Sequence, residues 1–234
     1  MLKIIISVMI IIVSLVGSDE FTDNDMKRYV GLILDNKQKV FTISELVYNL
    51  FLIKDRGEFE TKIQYNKRIS NIIGDGIFFV YKKIDKVTYD IDNNEMKFYT
   101  PLQGGSIWEN EKPYKNLLKK GYTGIVLELD FNNHAFPMIE KMRLKGDRYS
   151  YPYAYIHMNI NNAKEIKNKS NKFFQVIAIK ITPEDISKRK VRNSSGMVNG
   201  KRYLDLWLEV SAKVIGTAIV SLNPKKIMFA FGKK

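Results

Sequence analysis

Leu204-Asp205-Leu206-Trp207-Leu208-Glu209-Val210-Ser211-Ala212-Lys213-Val214 places six apolar residues at every second position, separated by Asp, Trp, Glu, Ser and Lys. A period of two puts every second side chain on one face of a β-strand, so this stretch predicts a strand with one face in a core and one facing outward. Working outward from it, Phe173 to Ile181 is a strand with little polar content, and Ile227 to Phe231 is a last strand that follows an Asn223-Pro224 turn. Upstream, Ile125, Leu127, Leu129 and Phe131 alternate in the same way. So do Val87, Tyr89 and Ile91, which the turn-forming Asp92-Asn93-Asn94 separates from Met96 and Phe98. Ile77 to Ile84 is a β-branched and aromatic run. Two short helices interrupt the strands. One spans about Asn162 to Lys167, and the other opens at Thr182-Pro183-Glu184-Asp185, where proline suits the first helical position and the acids suit the helix dipole.

The part before Gly74 has a different period. Thr22 is positioned to cap a helix carrying Met26, Tyr29, Val30 and Ile33 on one face. Thr42-Ile43-Ser44-Glu45 has the spacing of a capping box and opens a helix with Ile43, Leu46, Val47, Leu50 and Ile53 inward. Thr61-Lys62-Ile63-Gln64 repeats that spacing before Tyr65, Ile69, Ile72 and Ile73, and Gly74-Asp75-Gly76 ends the helix. The expected fold is therefore α+β: a helical part over about 22–74, then a β-rich part over about 76–232. Its sheet or sandwich is mainly antiparallel, with short helical insertions. No internal repeat or low-complexity linker divides residues 19–234, so one domain is expected.

The first eighteen residues are of another kind. Met1-Leu2-Lys3 is a charged start, Ile4 to Val16 is apolar apart from two serines, and Gly17-Ser18 precedes the polar Asp19-Glu20. This is the order of a secretory signal with cleavage after Ser18, and the apolar run falls short of the ~20 residues a membrane span needs. The expected location is the periplasm or the exterior. The alternative is an uncleaved membrane-anchored form. With no cysteine, the chain has no disulfide framework and no lipid-bearing cysteine, so its stability must come from its core.

Three segments together resemble uncharacterised exported bacterial proteins. Lys54 to Thr61, continuing to Tyr65 and Arg68, is similar to their Lys-x-x-x-Glu-Phe-Glu-Thr…Tyr-x-x-Arg segment. Tyr89-Asp90-Ile91-Asp92-Asn93-Asn94 resembles their Tyr-Asp-x-Asp strand end, and Ile160 to Lys167 their alanine-containing short helix before a strand. The resemblance implies an exported domain and brings no activity with it.

Charge bears on partners. The chain carries a net +13, and because Lys3 is the one charged residue of the signal, +12 remains after Ser18. A field of that sign favours an anionic envelope polymer or lipid head groups; nucleic acid is not expected for an exported protein. A genome that favours Lys, Ile, Asn and Tyr would also produce part of this surplus. Basic residues gather at Lys164, Lys167, Lys169 and Lys172, at Lys188, Arg189, Lys190 and Arg192, and at Lys225, Lys226, Lys233 and Lys234. The second group is the leading candidate for an anion-binding face; the alternative is a scattered solvated surface. Tyr149, Tyr151, Tyr153 and Tyr155, followed by His157, recur at period two. Their rings could stack on a glycan from one face of a strand, or cover a core with their hydroxyls wet. Pro152 lacks a backbone donor and places that strand at an edge or a bulge.

Catalytic and metal motifs do not assemble. Asp90, Asp92 and Asn94 match the first spacings of a calcium loop, but Glu95 stands where glycine is required and Pro101 where a bidentate glutamate belongs. His134 and His157 lie in different elements and have no cysteine to join them at a zinc ion. Glu58 with Glu60, Glu109 with Glu111, and Glu128 with Asp130 are carboxylate pairs on single elements, and Glu128 and Asp130 are expected on a solvated strand face. Gly104-Gly105-Ser106 lacks the lysine of a phosphate loop, and there is no Gly-x-Ser-x-Gly elbow. No cofactor or metal is expected. The expected function is a non-catalytic exported protein of the cell envelope, with an exported hydrolase using carboxylates or a histidine as the alternative.

Overall fold

The computed structural model describes residues 21–99, 106–112, 115–130, 153–169, 173–222 and 225–232. The chain is α+β with mainly antiparallel sheets that do not close.

Three helices open it: α1 (Asp23–Leu34), α2 (Ile43–Phe51) and α3 (Lys62–Ile73). Each starts with a complete capping box, pairing Thr22 with Asp25, Thr42 with Glu45 and Thr61 with Gln64. These contacts satisfy backbone donors that the first turn of a helix leaves open. Gly74 ends α3, and Gly76, at φ 71°, approaches the Ile181 carbonyl so closely that a Cβ would overlap it. On α3, Tyr65, Ile69 and Ile73 are buried as expected, whereas Ile72 is exposed: the inward face advances from 69 to 73 and leaves 72 on the rim.

The strands are β1 (Ile77–Ile84), β2 (Val87–Asp90), β3 (Glu95–Tyr99), β4 (Ser106–Glu111), β5 (Gly124–Asp130), β6 (Tyr153–His157), β7 (Phe173–Lys180), β8 (Lys190–Val198), β9 (Lys201–Ser211), β10 (Lys213–Leu222) and β11 (Lys225–Gly232). The short helices α4 (Lys115–Leu118), α5 (Ile160–Lys169) and α6 (Pro183–Ser187) lie between them. The strands form three sheets, β1-β7-β10-β11, β2-β3-β6 and β4-β5-β9-β8. Every pairing is antiparallel except β5 with β9.

The stretch 204–214 is divided, contrary to the expectation of one strand. The chain runs along β9 in one four-stranded sheet, leaves it at Ala212, and enters the other as β10. The Ala212 N–H donates to the Asp130 carbonyl at the end of β5, and the register of β10 on β7 shifts between Val214 and Gly216. Irregularities of this kind bend a strand and let it change sheets.

Between the two four-stranded sheets lies the largest core. It joins α2, α3 and Ile186 of α6 to Ile125, Leu127, Leu129, Leu208 and Val210 of one sheet and to Val80, Ile177, Ile179 and Val214 of the other. On the far side of the β7–β10 sheet, Met26, Val30 and Leu34 of α1 pack on Phe79, Val176, Ala178, Ala218 and Val220. Two polar contacts fix α1 along β11: Asp23 accepts from the Gly232 N–H at 2.8 Å, and Lys225 donates to the Leu34 carbonyl at 2.6 Å. A third core joins the small sheet and α5 through Met96, Phe98, Ala163, Phe173 and Ile219. Among the described residues, no helix is long and apolar enough to cross a membrane.

Candidate functional site

The parallel register of β5 and β9 sets Glu128 beside Glu209, and the antiparallel register of β8 sets Lys190 opposite Glu209 and Arg192 opposite Trp207. Ile125, Leu127 and Leu129 of β5 and Leu206, Leu208 and Val210 of β9 turn into the core, so Glu128, Trp207 and Glu209 share the other face, with Lys190 and Arg192 directly opposite Glu209 and Trp207. They form a connected polar cluster. Lys190 donates to Glu209 at 2.6 Å, and Arg192 reaches Glu128 at 3.0 Å and Glu209 at 3.5 Å. The Arg192 guanidinium also lies 4.6 Å from the centre of the Trp207 ring, whose indole N–H donates to Glu128.

Glu128 is only 7% exposed and Glu209 only 4%. This corrects the expectation of a solvated Glu128: a carboxylate loses its hydration on burial, and at Glu128 the Arg192 guanidinium and the Trp207 indole replace it. The ammonium of Lys190 is pushed above its ordinary value by its hydrogen bond to Glu209. Two acids and two bases make the group internally neutral, and its geometry suits a clamp across three strands. The sequence carries a signal for it, since Trp207 and Glu209 stand between the apolar positions of the clearest alternating stretch and so share its second face.

Lys188, Arg189, Lys190 and Arg192 do not share one face. Lys188 pairs with Glu184 one turn back on α6, at 2.6 Å. The side chain of Arg189 is buried and donates to the carbonyls of Leu50 at 2.8 Å and Ile53 at 2.6 Å, and to Asp55. It satisfies carbonyls at the end of α2, where a cation is favoured by the helix dipole. The turn after α6 therefore sends 189 toward α2, while β8 presents 190 and 192 on the sheet. All four cations have carboxylate partners within the chain.

Tyr149 and Tyr151 lie outside the described residues. Tyr153 and Tyr155 stand on β6, opposite Tyr99 and Lys97 of β3, and β6 is the edge of its sheet. His157, itself largely exposed, lies 3.2 Å from the mostly covered side chain of Glu95, and His134 is outside the described residues. Asp90 to Asn94 is a hairpin turn, in which Asp90 accepts from the Asn93 N–H and Asn94 takes φ 50°. Glu109 accepts from the Ser44 N–H and hydroxyl at the start of α2, so it works as a helix cap. Among the described residues, no group of three or more metal-ligating side chains comes together.

The Lys54–Arg68 segment folds as a clasp. Arg68 forks onto both oxygens of Glu60, at 2.8 and 2.9 Å, and reaches back to the carbonyls of Lys54 and Asp55. Its guanidinium lies 5.2 Å from the Tyr65 ring centre. The carboxyl of Glu60 falls to about 2, first through the Arg68 hydrogen bond. A tight turn from Gly57 to Glu60, closed by the Glu60 N–H on the Gly57 carbonyl, leaves Phe59 93% exposed.

Comparison of the chain with protein-family models, with characterised proteins and with solved structures finds no match.

Proposed function

We propose that this is an exported, non-catalytic protein of the cell envelope that binds an anionic partner, either lipid head groups or an envelope polymer, through surface cations. One observation carries the reading. Many described carboxylates act as internal acceptors: Asp25, Glu45 and Asp185 in capping boxes, Asp23 and Glu109 at helix starts, Asp75 in a turn, Glu128 and Glu209 in the clamp. Lys54, Arg56, Lys62 and Lys67, by contrast, have no carboxylate within 4 Å among the described residues. A surplus of +12 after Ser18, in which many acids are taken up by hydrogen bonds within the chain and such cations face solvent, is a field aimed at anions. The rival reading, a hydrolase, has in its favour the adjacency of Glu128 and Glu209. It would need those carboxylates to leave Arg192 and Lys190.

The test is binding of the full chain to phosphatidylglycerol vesicles and, in a separate arm, to polyphosphate, across a salt series. Binding in either arm should be clear at low salt and lost toward 1 M, where the Debye length falls to ~3 Å. Absence of binding to both at low salt overturns the reading, and binding in one arm alone names the source of the anion.

A further inference from the structure

Phe59 and Ile63 are the two most exposed large apolar side chains among the described residues, at 93% and 81%. Scattered exposed leucines and valines are ordinary on a protein surface, and the informative case is an apolar group that the fold holds outward. Phe59 is such a case. It occupies the third position of the Gly57–Glu60 turn, which is closed twice, by the backbone bond at 3.1 Å and by the Gly57 N–H donating to the Glu60 carboxylate at 3.1 Å. The bidentate Arg68 then fixes that carboxylate to α3, so the corner residue has no route back to the core. Ile63 stands in the first turn of α3, and helical side chains lean toward the helix start, here toward the turn that bears Phe59.

Around these two side chains are Lys54, Arg56, Lys62 and Lys67, all exposed, and of the exposed carboxylates of the segment, Asp55 and Glu58, only Glu58 has no ion-pair partner within 4 Å among the described residues. Asp55 and Glu60, the other acids of the segment, are held by Arg189 and Arg68. A rigid aromatic tip ringed by cations matches an anionic bilayer, which offers negative head groups at its surface and hydrocarbon just beneath. A polyanion would satisfy the cations alone, and a protein partner would satisfy both features only with an apolar pocket rimmed by acids. A membrane of anionic lipid satisfies both at once.

We infer that the Gly57–Ile63 corner is a membrane-docking tip, with Phe59 and Ile63 entering the interface of an anionic bilayer while Lys54, Arg56, Lys62 and Lys67 meet its head groups. The inference rests on the anion-binding reading above and selects the lipid source.

The absence of native cysteine makes a site-specific test direct. Phe59→Cys and, as a control on the opposite side of α3, Ile72→Cys are labelled with a polarity-sensitive dye and mixed with vesicles of phosphatidylcholine and phosphatidylglycerol. The dye at 59 should shift to the blue and be quenched by brominated lipid, and the dye at 72 should do neither. In co-sedimentation of the unlabelled protein, Phe59→Ser with Ile63→Ser should weaken partitioning by roughly tenfold or more, given the apolar area two such side chains remove from water. Both side chains lie outside the cores, so the double variant should retain its thermal midpoint. If the native chain binds vesicles but position 59 stays in water and the double variant binds as well, the tip is overturned while the anion-binding reading stands. Binding to polyphosphate but not to vesicles also overturns it. A fall in sedimenting mass on Phe59→Ser would identify the corner as a contact between protein chains and overturn the lipid assignment.

Discussion

Strands β9 and β10 are one run of chain, separated by Ala212, yet they are buried by different rules. From Val214 to Ser221, β10 has no exposed position: α1 covers one side of its sheet, and the helices, the other large sheet and the small sheet share the opposite side. β9 faces the core only with alternate residues, and its other face carries Trp207 and Glu209 in the charged clamp. A strand covered on both faces has no wet side to print a polar residue at every second position, so its period disappears. A strand covered on one face keeps its period, and a charge on the other face tells nothing by itself about how deeply it is buried.

The largest effect should separate the two sheets by packing. Ile177→Ala on β7 removes atoms from a fully buried site and should cost about 2–5 kcal/mol. Leu206→Ala on β9 removes a similar group from a half-buried position beside a cavity of about 190 Å3, bounded also by Tyr48, Leu117 and Leu127, and should cost less than half as much. Urea denaturation of both variants measures the difference. Equal losses would mean that the two sheets are covered alike and would break the comparison.

This contrast also explains what was legible in the sequence. The Thr22 cap, the capping boxes at Thr42 and Thr61, the hairpin at Asp90–Glu95 and the run at 173–181 are legible, because caps and turns depend on a few local residues. The division at Ala212 is not, because the alternation passes through it unbroken and the bend is set by a contact to Asp130, far away in the chain. Strand β8 was also missed. Its residues Lys190 to Val198 are mostly polar and exposed, and the signal that could have found it is Asn199-Gly200, whose φ angles of 51° and 74° make the tight hairpin turn into β9. The candidate site was legible in parts. Lys190 and Arg192 stood out as basic residues, but their partners Glu128 and Glu209 lie 81 residues apart and meet only through the parallel pairing of β5 and β9.

A medium effect probes the charged face. Glu209→Leu removes one acid and leaves Lys190 and part of Arg192 without it. Both cations are more than half exposed and can turn to water, so the loss should be about 1–3 kcal/mol rather than the larger cost of a stranded buried charge. Joining Lys190→Leu to Glu209→Leu should restore a good part of that loss, because an apolar pair needs no compensating charge. Chemical denaturation of the single and double variants gives the coupling. If the double variant is as unstable as the sum of the two singles, the clamp does not act as a unit.

The smallest effect belongs to the small sheet, whose hairpin carries its own partly buried ion pair. Asp90 accepts from Lys97 at 2.6 Å and from the Asn93 side chain at 3.0 Å, and these contacts, Lys97 first, lower its carboxyl from 3.8 to about 2. A carboxyl depressed by folding favours the folded state above its unfolded value, and that contribution fades as pH falls through the folded one. Asp90→Asn keeps an oxygen for the turn but removes the charge that Lys97 meets. The native chain should therefore exceed Asp90→Asn in thermal midpoint by a constant margin from neutral pH down to about 4. The margin should then shrink and close as pH approaches 2. Salt should narrow it at neutral pH, since both side chains of the pair still reach solvent and their attraction is partly screened. A margin that persists unchanged to pH 2 would place the benefit of Asp90 in the shape of the turn instead of in its charge. The hairpin would then be held as β10 is, by packing, and the division between sheets stabilised by burial and sheets stabilised by charge would stop at β9.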